Sequence, residues 1–145
     1  MSAEAEGAGK AGRPARVCGS CTLCCKLLTV PDLERPKPRD VWCPHCVQGK
    51  GCGIYERRPS SCRVFDCVWL QRPGLPDSLR PDRSRVVLTT RAEDHALIAQ
   101  VDPGFPDAWR RPEMARLLKL NLGKGVKVMV RTGELVRVLT PADLR

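Results

Sequence analysis

The chain of 145 residues is long enough for one domain. Its hydrophobic fraction of 42% allows a core, but the core is expected to be modest, since few residues are aromatic. Residues 1–17 lack the apolar centre of a secretory signal, and no apolar run approaches the length of a membrane span. The sequence therefore excludes a membrane-spanning protein and predicts a cytoplasmic one. The formal net charge of +9 is compatible with nucleic-acid binding, but the positive residues are spread along the chain, which favours a solvated, arginine-rich surface.

Cysteine dominates the first half of the chain: all nine cysteines fall between Cys18 and Cys67. In a reducing compartment, clustered thiols bind metal more often than they form stable disulfides, and an odd number cannot all be paired. The surrounding segment is rich in Pro, Gly and Arg, a composition that needs cross-links or metal to hold a shape. The sequence therefore predicts a metal-stabilised N-terminal half with few regular elements.

Changes of composition divide the chain into four segments. We expect residues 1–16 to be a disordered lead, 17–70 the cysteine-cluster metal-binding region, 71–85 a Pro-rich connector and 86–145 a small α+β scaffold. We expect this scaffold to form one compact unit with residues 17–70.

The cysteine spacings indicate metal ligation. The first group has the pattern Cys18-x2-Cys21-x2-Cys24-Cys25. Iron–sulfur proteins use three thiolates at this spacing plus a remote fourth, whereas zinc sites use one such pair, so the pattern slightly favours an iron–sulfur cluster over zinc.

The later cysteines continue the pattern. Cys43 and Cys46 form a second pair with the same spacing, and His45 lies between them as an alternative ligand or a surface histidine. Cys52, Cys62 and Cys67 follow. Pro59 can open a helix that contains Cys62, and Cys62 and Cys67 can both be ligands only if that helix breaks near Asp66. Alternatively, the two cysteines serve different sites.

The C-terminal scaffold is predicted from its periodicity. Residues 85–91 and 96–101 read as one β-hairpin, and residues 126–131 and 134–139 as a second with its turn at Thr132-Gly133. Between them, Pro112 opens a helix whose apolar residues recur on one side as far as Leu122. The expected fold is α+β: a small antiparallel sheet of two hairpins with one covering helix.

At this level of detail the sequence resembles a known family. The run Cys18-x2-Cys21-x2-Cys24-Cys25, then Cys43-Pro44, then Cys52-Gly-Ile-Tyr-Glu-x-Arg-Pro-x-x-Cys62-Arg-x-Phe-x-Cys67 is similar to the CxxCxxCC zinc- or iron-chelating domain of the YkgJ-like cysteine-cluster proteins. The resemblance covers residues 17–70.

This resemblance implies a set of site residues. The metal ligands it implies are Cys18, Cys21, Cys24, Cys25, Cys43, Cys52, Cys62 and Cys67. Cys46 is an addition to the family pattern, so Cys46 and His45 are further candidates. Tyr55, Arg58 and Arg63 also belong to the pattern, and we interpret them as groups that support the ligands and offset their negative charge.

Three functions remain open. The favoured one is a metal-binding protein, with zinc or an iron–sulfur cluster in a structural or redox role and a protein partner that the sequence does not identify. The second is a zinc-stabilised RNA- or DNA-binding module, although few aromatics are available for base stacking. The third is an enzyme component in a modification pathway, since flagellin lysine methylases resemble this chain in their cysteine cluster. Enzymatic activity is not favoured, because the sequence contains no phosphate-binding loop and no paired nucleophile and base.

Overall fold

The computed structural model describes residues 21–65 and 67–144, with the side chains of residues 63 and 64 left out. The predicted disordered lead, Cys18 and the side chain of Arg63 therefore lie outside the described parts. The described helices are α1 (Cys24–Leu27), α2 (Ser60–Val64), α3 (Val68–Gln71), α4 (Pro81–Ser84) and α5 (Pro112–Gly123). The strands are β1 (Cys46–Val47), β2 (Gly51–Cys52), β3 (Val86–Thr90), β4 (Leu97–Val101), β5 (Val128–Thr132) and β6 (Leu135–Val138). Short 3₁₀ turns cover Tyr55–Arg57, Asp77–Leu79, Ala108–Arg110 and Pro141–Leu144.

The larger sheet has four strands in the order β3-β4-β5-β6. Both predicted hairpins are confirmed, since β3 pairs antiparallel with β4 and β5 pairs antiparallel with β6. The prediction of a wholly antiparallel sheet is wrong at its centre, where β4 and β5 run parallel with Ala99 opposite Val130. The physical reason is the connection: the chain crosses over through α5 before β5 begins, and a crossover returns it in the same direction.

Helix α5 forms as its sequence predicts. Pro112 occupies the first helical turn, where its missing N–H costs no hydrogen bond, and Glu113 lies beside it at the positive end of the helix. Met114 and Leu118 are buried against the sheet side of the molecule, and Leu117 packs partly on the same core. The apolar stripe therefore fastens the crossover helix to the sheet. Among the described residues no helix combines the length and the apolar character needed to cross a membrane.

The cysteine-rich half shares one hydrophobic core with the sheet. Leu23 and Leu27 from the region of α1, and Trp69 from α3, belong to the same cluster of buried side chains as the strand residues Val86 and Val128. Trp69 also donates its indole N–H to the carbonyl of Pro76 at 3.2 Å. Apolar burial therefore orders part of this half, in addition to any contribution from the thiols.

A buried carboxylate fastens α1 to the end of the sheet. Asp102, which follows β4, is 0% exposed, accepts a hydrogen bond from Lys26 Nζ at 2.9 Å and another from the Gly104 N–H at 3.0 Å. Arg85 Nη2 lies 3.0 Å from its second oxygen as an ion pair. Burial opposes ionisation, but these hydrogen bonds and the charges of Lys26 and Arg85 outweigh it and hold the pKa of Asp102 below its usual value.

A second contact holds the C-terminal end of α1. Arg131 of β5 is 9% exposed, and its guanidinium donates to the carbonyls of Gly133 at 2.9 Å and Leu27 at 3.3 Å and to the side chain of Gln100. A four-residue helix is unstable by itself, so α1 depends on these side chains from the sheet for its position.

We expect Asp102→Asn to lower the free energy of unfolding by about 3 kcal/mol, because the change leaves Lys26 and Arg85 without their buried counter-charge. A carboxyl with a lowered pKa stabilises the fold fully above pH of about 4 and loses this effect as the pH falls below that value. Urea unfolding measured against pH should therefore give a smaller acid-side decline of stability for the variant.

Asp107→Asn is the matched control, because the Asp107 side chain is 87% exposed and lies 3.7 Å from Arg110. Such exposed pairs contribute little to stability. Equal losses in the two variants would contradict the role given to Asp102.

Candidate metal centre

Three parts of the chain bring cysteines together. Helix α1 provides Cys24 and Cys25, the loop and hairpin that follow provide Cys43, Cys46 and Cys52, and α2 provides Cys62. The amide of Cys43 donates to the carbonyl of Cys25 at 2.9 Å, which ties the hairpin segment to α1. Cys46 stands directly opposite Cys52 in the β1–β2 pair.

The small β1–β2 hairpin is held by close backbone contacts. The N–H of Gly53 donates to the carbonyl of His45 at 2.6 Å, and the N–H of Gly49 donates to the Thr22 hydroxyl at 3.1 Å. A side chain at position 53 would place its Cβ 2.9 Å from that carbonyl oxygen of His45, so only glycine fits there without a shift of the backbone. This close approach sets the positions of Cys46 and Cys52.

Cys25 lies at the centre of the thiol group. Hydrogen bonds from the Cys24 thiol, with a smaller one from Cys46 and the positive charges of Lys37 and Arg58, outweigh the effect of burial and lower the pKa of Cys25 to about 6. This lowered pKa favours the thiolate of Cys25, the form of cysteine that binds metals.

The thiols around Cys25 respond in the opposite direction. Burial, followed by the negative charge on Cys25, raises the pKa of Cys46, and the same two causes raise the pKa of Cys62. The charge of Cys52 contributes to the raised pKa of Cys62 as well. These mutual effects mean that the sulfurs are near neighbours, and that positive charge beside them favours their ionisation.

Two cations already border the thiols. Lys37 is 4% exposed and donates from Nζ to three backbone carbonyls, while its charge acts on Cys43, Cys25 and Cys24. Arg58 donates from Nε to the carbonyl of Tyr55 at 2.9 Å, and its guanidinium lies 3.8 Å from the centre of the Tyr55 ring. The stacked ring holds Arg58 on the side of the group where its charge reaches Cys25.

The remaining sequence-predicted residues are placed differently. Cys67 is 6% exposed and belongs to the hydrophobic core, and Cys21 lies near enough to Arg80 for its charge to raise the pKa of that guanidinium, after the larger effect of a hydrogen bond to Asp82. The ring of His45 makes a 2.8 Å contact with Glu34 at the surface.

The helix that contains Cys62 does break before Cys67, which is the condition under which both cysteines could be ligands. Helix α2 begins after Pro59 and ends at Val64, and α3 begins at Val68. The two cysteines therefore lie on separate elements.

The sulfurs are neighbours but do not surround a common point. Within residues 21–65 and 67–144, no group of three or more Cys, His, Asp or Glu side chains is arranged to hold a metal ion. The donor chemistry nevertheless fits a thiophilic metal, because thiolate sulfur is the ligand that zinc sites and iron–sulfur clusters share. The buried cation Lys37 suits an anionic centre. Ligation at one ion would require the loops that carry these cysteines to move their sulfurs together.

Sequence reasoning missed one feature of this site. Cys46, a further candidate through its spacing from Cys43, lies beside Cys25 in the structure. Lys37 gave no signal at all, because it lies in a Pro-rich, charged loop that is typical of a solvated surface.

Comparison with known proteins adds no assignment to this geometry. No protein-family model, no curated protein and no solved structure matches the chain.

We expect Gly53→Ala to destabilise the protein by about 1–3 kcal/mol, because the added methyl group pushes against the carbonyl of His45 and strains the hairpin that carries Cys46 and Cys52. Thermal unfolding would measure the loss. Gly74→Ala is the control, since its Cβ would meet no atom within 4 Å. If both glycine variants unfold at the same temperature, the close approach at Gly53 is not a constraint.

Proposed function

We propose that this chain is a thiolate metal-binding protein that holds zinc or an iron–sulfur cluster in a structural or redox role. The observation that carries the proposal is the grouping of thiols from α1, the β1–β2 hairpin and α2 around Cys25, beside the buried ammonium of Lys37. Cysteine side chains repel one another when they are ionised. A bound metal ion, which would neutralise the thiolates, therefore explains why so many cysteines lie close together.

The resemblance to the YkgJ-like CxxCxxCC family rests on its motif and supports the same function. The order of spacings across residues 17–70, the backbone hydrogen bond from Cys43 to Cys25 and the effect of the charges of Cys25 and Cys43 on the pKa of Cys62 favour one shared site for the later cysteines and α1. We propose the reducing cytoplasm as the location, because free thiols such as those of Cys43 and Cys52 persist there.

The ligand set that we propose differs from the family pattern in one respect. It contains Cys24, Cys25, Cys43, Cys46, Cys52 and Cys62, from which a tetrahedral zinc site or a four-iron cluster would draw four thiolates. Cys46 enters because its thiol hydrogen-bonds to Cys25 and its backbone pairs with Cys52. Cys18, Cys21 and Cys67 stay candidates through the resemblance alone.

Nucleic-acid binding is the second candidate function. The ring of Phe105, 41% exposed, lies 4.3 Å from the guanidinium carbon of Arg85 and 6.0 Å from that of Arg111. Exposed rings beside arginines suit single-stranded nucleic acid. It is less favoured because Asp102 already pairs with Arg85, and salt-dependent retention on immobilised RNA would raise it. No described contact favours an enzyme component.

We expect protein purified without oxygen to contain zinc or iron in a fixed ratio, measured by elemental analysis together with the visible absorption of an iron–sulfur centre. Removing the metal with a chelator should lower the unfolding temperature, and restoring it should reverse the change, because a ligand that binds only the folded state stabilises it. A compact, metal-free protein that takes up neither metal would contradict the proposed function.

We expect Cys25→Ser to weaken metal binding by more than about 100-fold, beyond the range of residues that only support a ligand. Cys46→Ser should cause a comparable loss if it is a ligand. Cys67→Ser is the comparison variant: its burial in the core predicts lower stability with the metal content retained. Metal loss from Cys67→Ser but not from Cys46→Ser would restore the ligand set of the family pattern.

A further inference from the structure

Lys37 is a buried charge that the ligand set does not explain. Its backbone is fixed by a bridge to Val30, with N–H to O distances of 3.0 and 3.1 Å, and its side chain is 4% exposed. Lysine is seldom buried to this extent without a carboxylate partner, because removing an ammonium from water is unfavourable.

The ammonium of Lys37 is fully bonded but not neutralised. Nζ donates to the carbonyls of Lys26 at 2.9 Å, Pro38 at 2.7 Å and Val41 at 2.6 Å, which uses the three N–H groups of a protonated lysine. No carboxylate in the described parts of the chain forms an ion pair with it. Asp40 is within electrostatic range, but its nearest cationic contact is Arg131 at 3.9 Å.

The positions of these carbonyls place the charge beside the thiols. The carbonyl of Lys26 belongs to α1 directly after Cys25, and that of Val41 lies two residues before Cys43. Burial lowers the pKa of Lys37, and negative charge on Cys43 and Cys25 opposes this effect. The ammonium therefore lies beside the backbone of two proposed ligands, Cys25 and Cys43, with the carboxylate of Asp40 as a further negative group in range.

We propose that Lys37 is the built-in counter-cation of the metal centre, which offsets the excess negative charge that four thiolates leave on zinc or on a four-iron cluster. This inference rests on the proposed function and specifies the net charge of the site when metal is bound. It implies a centre with only cysteine ligands, which carries a charge of about −2, and not a neutral centre with histidine ligands. Lys37 is a positioning residue: its ammonium binds backbone carbonyls, and its proposed role does not require it to touch the metal.

The test compares four proteins: the wild type, the neutral variant Lys37→Gln, the charge-retaining variant Lys37→Arg and the control Lys50→Gln. Glutamine keeps N–H donors for the carbonyls without the charge, and Lys50 is an exposed lysine in the β1–β2 turn. Zinc affinity is measured by competition with a chromogenic chelator, and the unfolding temperature of each metal-free protein is measured separately.

We expect Lys37→Gln to weaken zinc binding by about 10- to 100-fold, the range found for groups that support metal ligands, while Lys37→Arg stays near the wild type and Lys50→Gln is unchanged. The unfolding temperature of metal-free Lys37→Gln should be equal to or above that of the wild type, because the variant no longer buries a charge that has no carboxylate ion-pair partner. A residue that only holds the loops together would lower this temperature instead.

The outcomes separate the two proposals. If the wild type binds neither zinc nor iron, the proposed function fails and the role of Lys37 fails with it. If the wild type binds metal with the same affinity as Lys37→Gln, the counter-cation inference alone is overturned. It is overturned equally if metal-free Lys37→Gln does not fold, because the lysine then acts as a structural clamp whether or not metal is bound.

Discussion

The ion pair between Asp102 and Lys26 connects the sheet to the thiols. Lys26 directly follows Cys25 in α1, a helix of four residues that has too few hydrogen bonds to be stable alone. Its position is therefore imposed from outside, by Asp102 at the end of β4 and by Arg131 of β5, which binds the carbonyl of Leu27. Because the central thiol is adjacent to the anchored lysine, the end of the sheet determines where Cys25 lies.

The other segments that carry the site, those of Lys37 and Cys43, are held by contacts to α1 and not to the sheet. Cys43 hydrogen-bonds through its amide to the carbonyl of Cys25, and Lys37 binds the carbonyl of Lys26. The hairpin that carries Cys46 and Cys52 then depends on the close approach of Gly53 to His45. The sheet therefore fixes the position of α1, and α1 in turn fixes the positions of the loops, which have almost no regular structure of their own.

Local pattern predicted the elements of the scaffold but not their assembly. Helix α5 was readable because Pro112 and the apolar spacing from Met114 to Leu118 are local signals, and the hairpin turns were readable for the same reason. The parallel pairing of β4 with β5 was not, since it depends on where the crossover helix packs. Within the site, spacing identified the cysteines, whereas Lys37, Cys46 and Arg58 reach Cys25 from positions 12, 21 and 33 residues further along the chain.

The shared core changes what the proposed metal would contribute to this protein. The sequence suggested that residues 17–70 hold a shape only through metal, yet Leu23, Leu27 and Trp69 are buried together with the residues of the sheet. Hydrophobic burial therefore stabilises α1 and α3, and the ion pairs of Asp102 fix α1 in orientation. What burial does not stabilise is the loop from Pro38 to Gly53, whose thiols, once ionised, have the opposite charge to the buried ammonium of the preceding Lys37. Metal binding at this place would order the loop on a scaffold that is already folded.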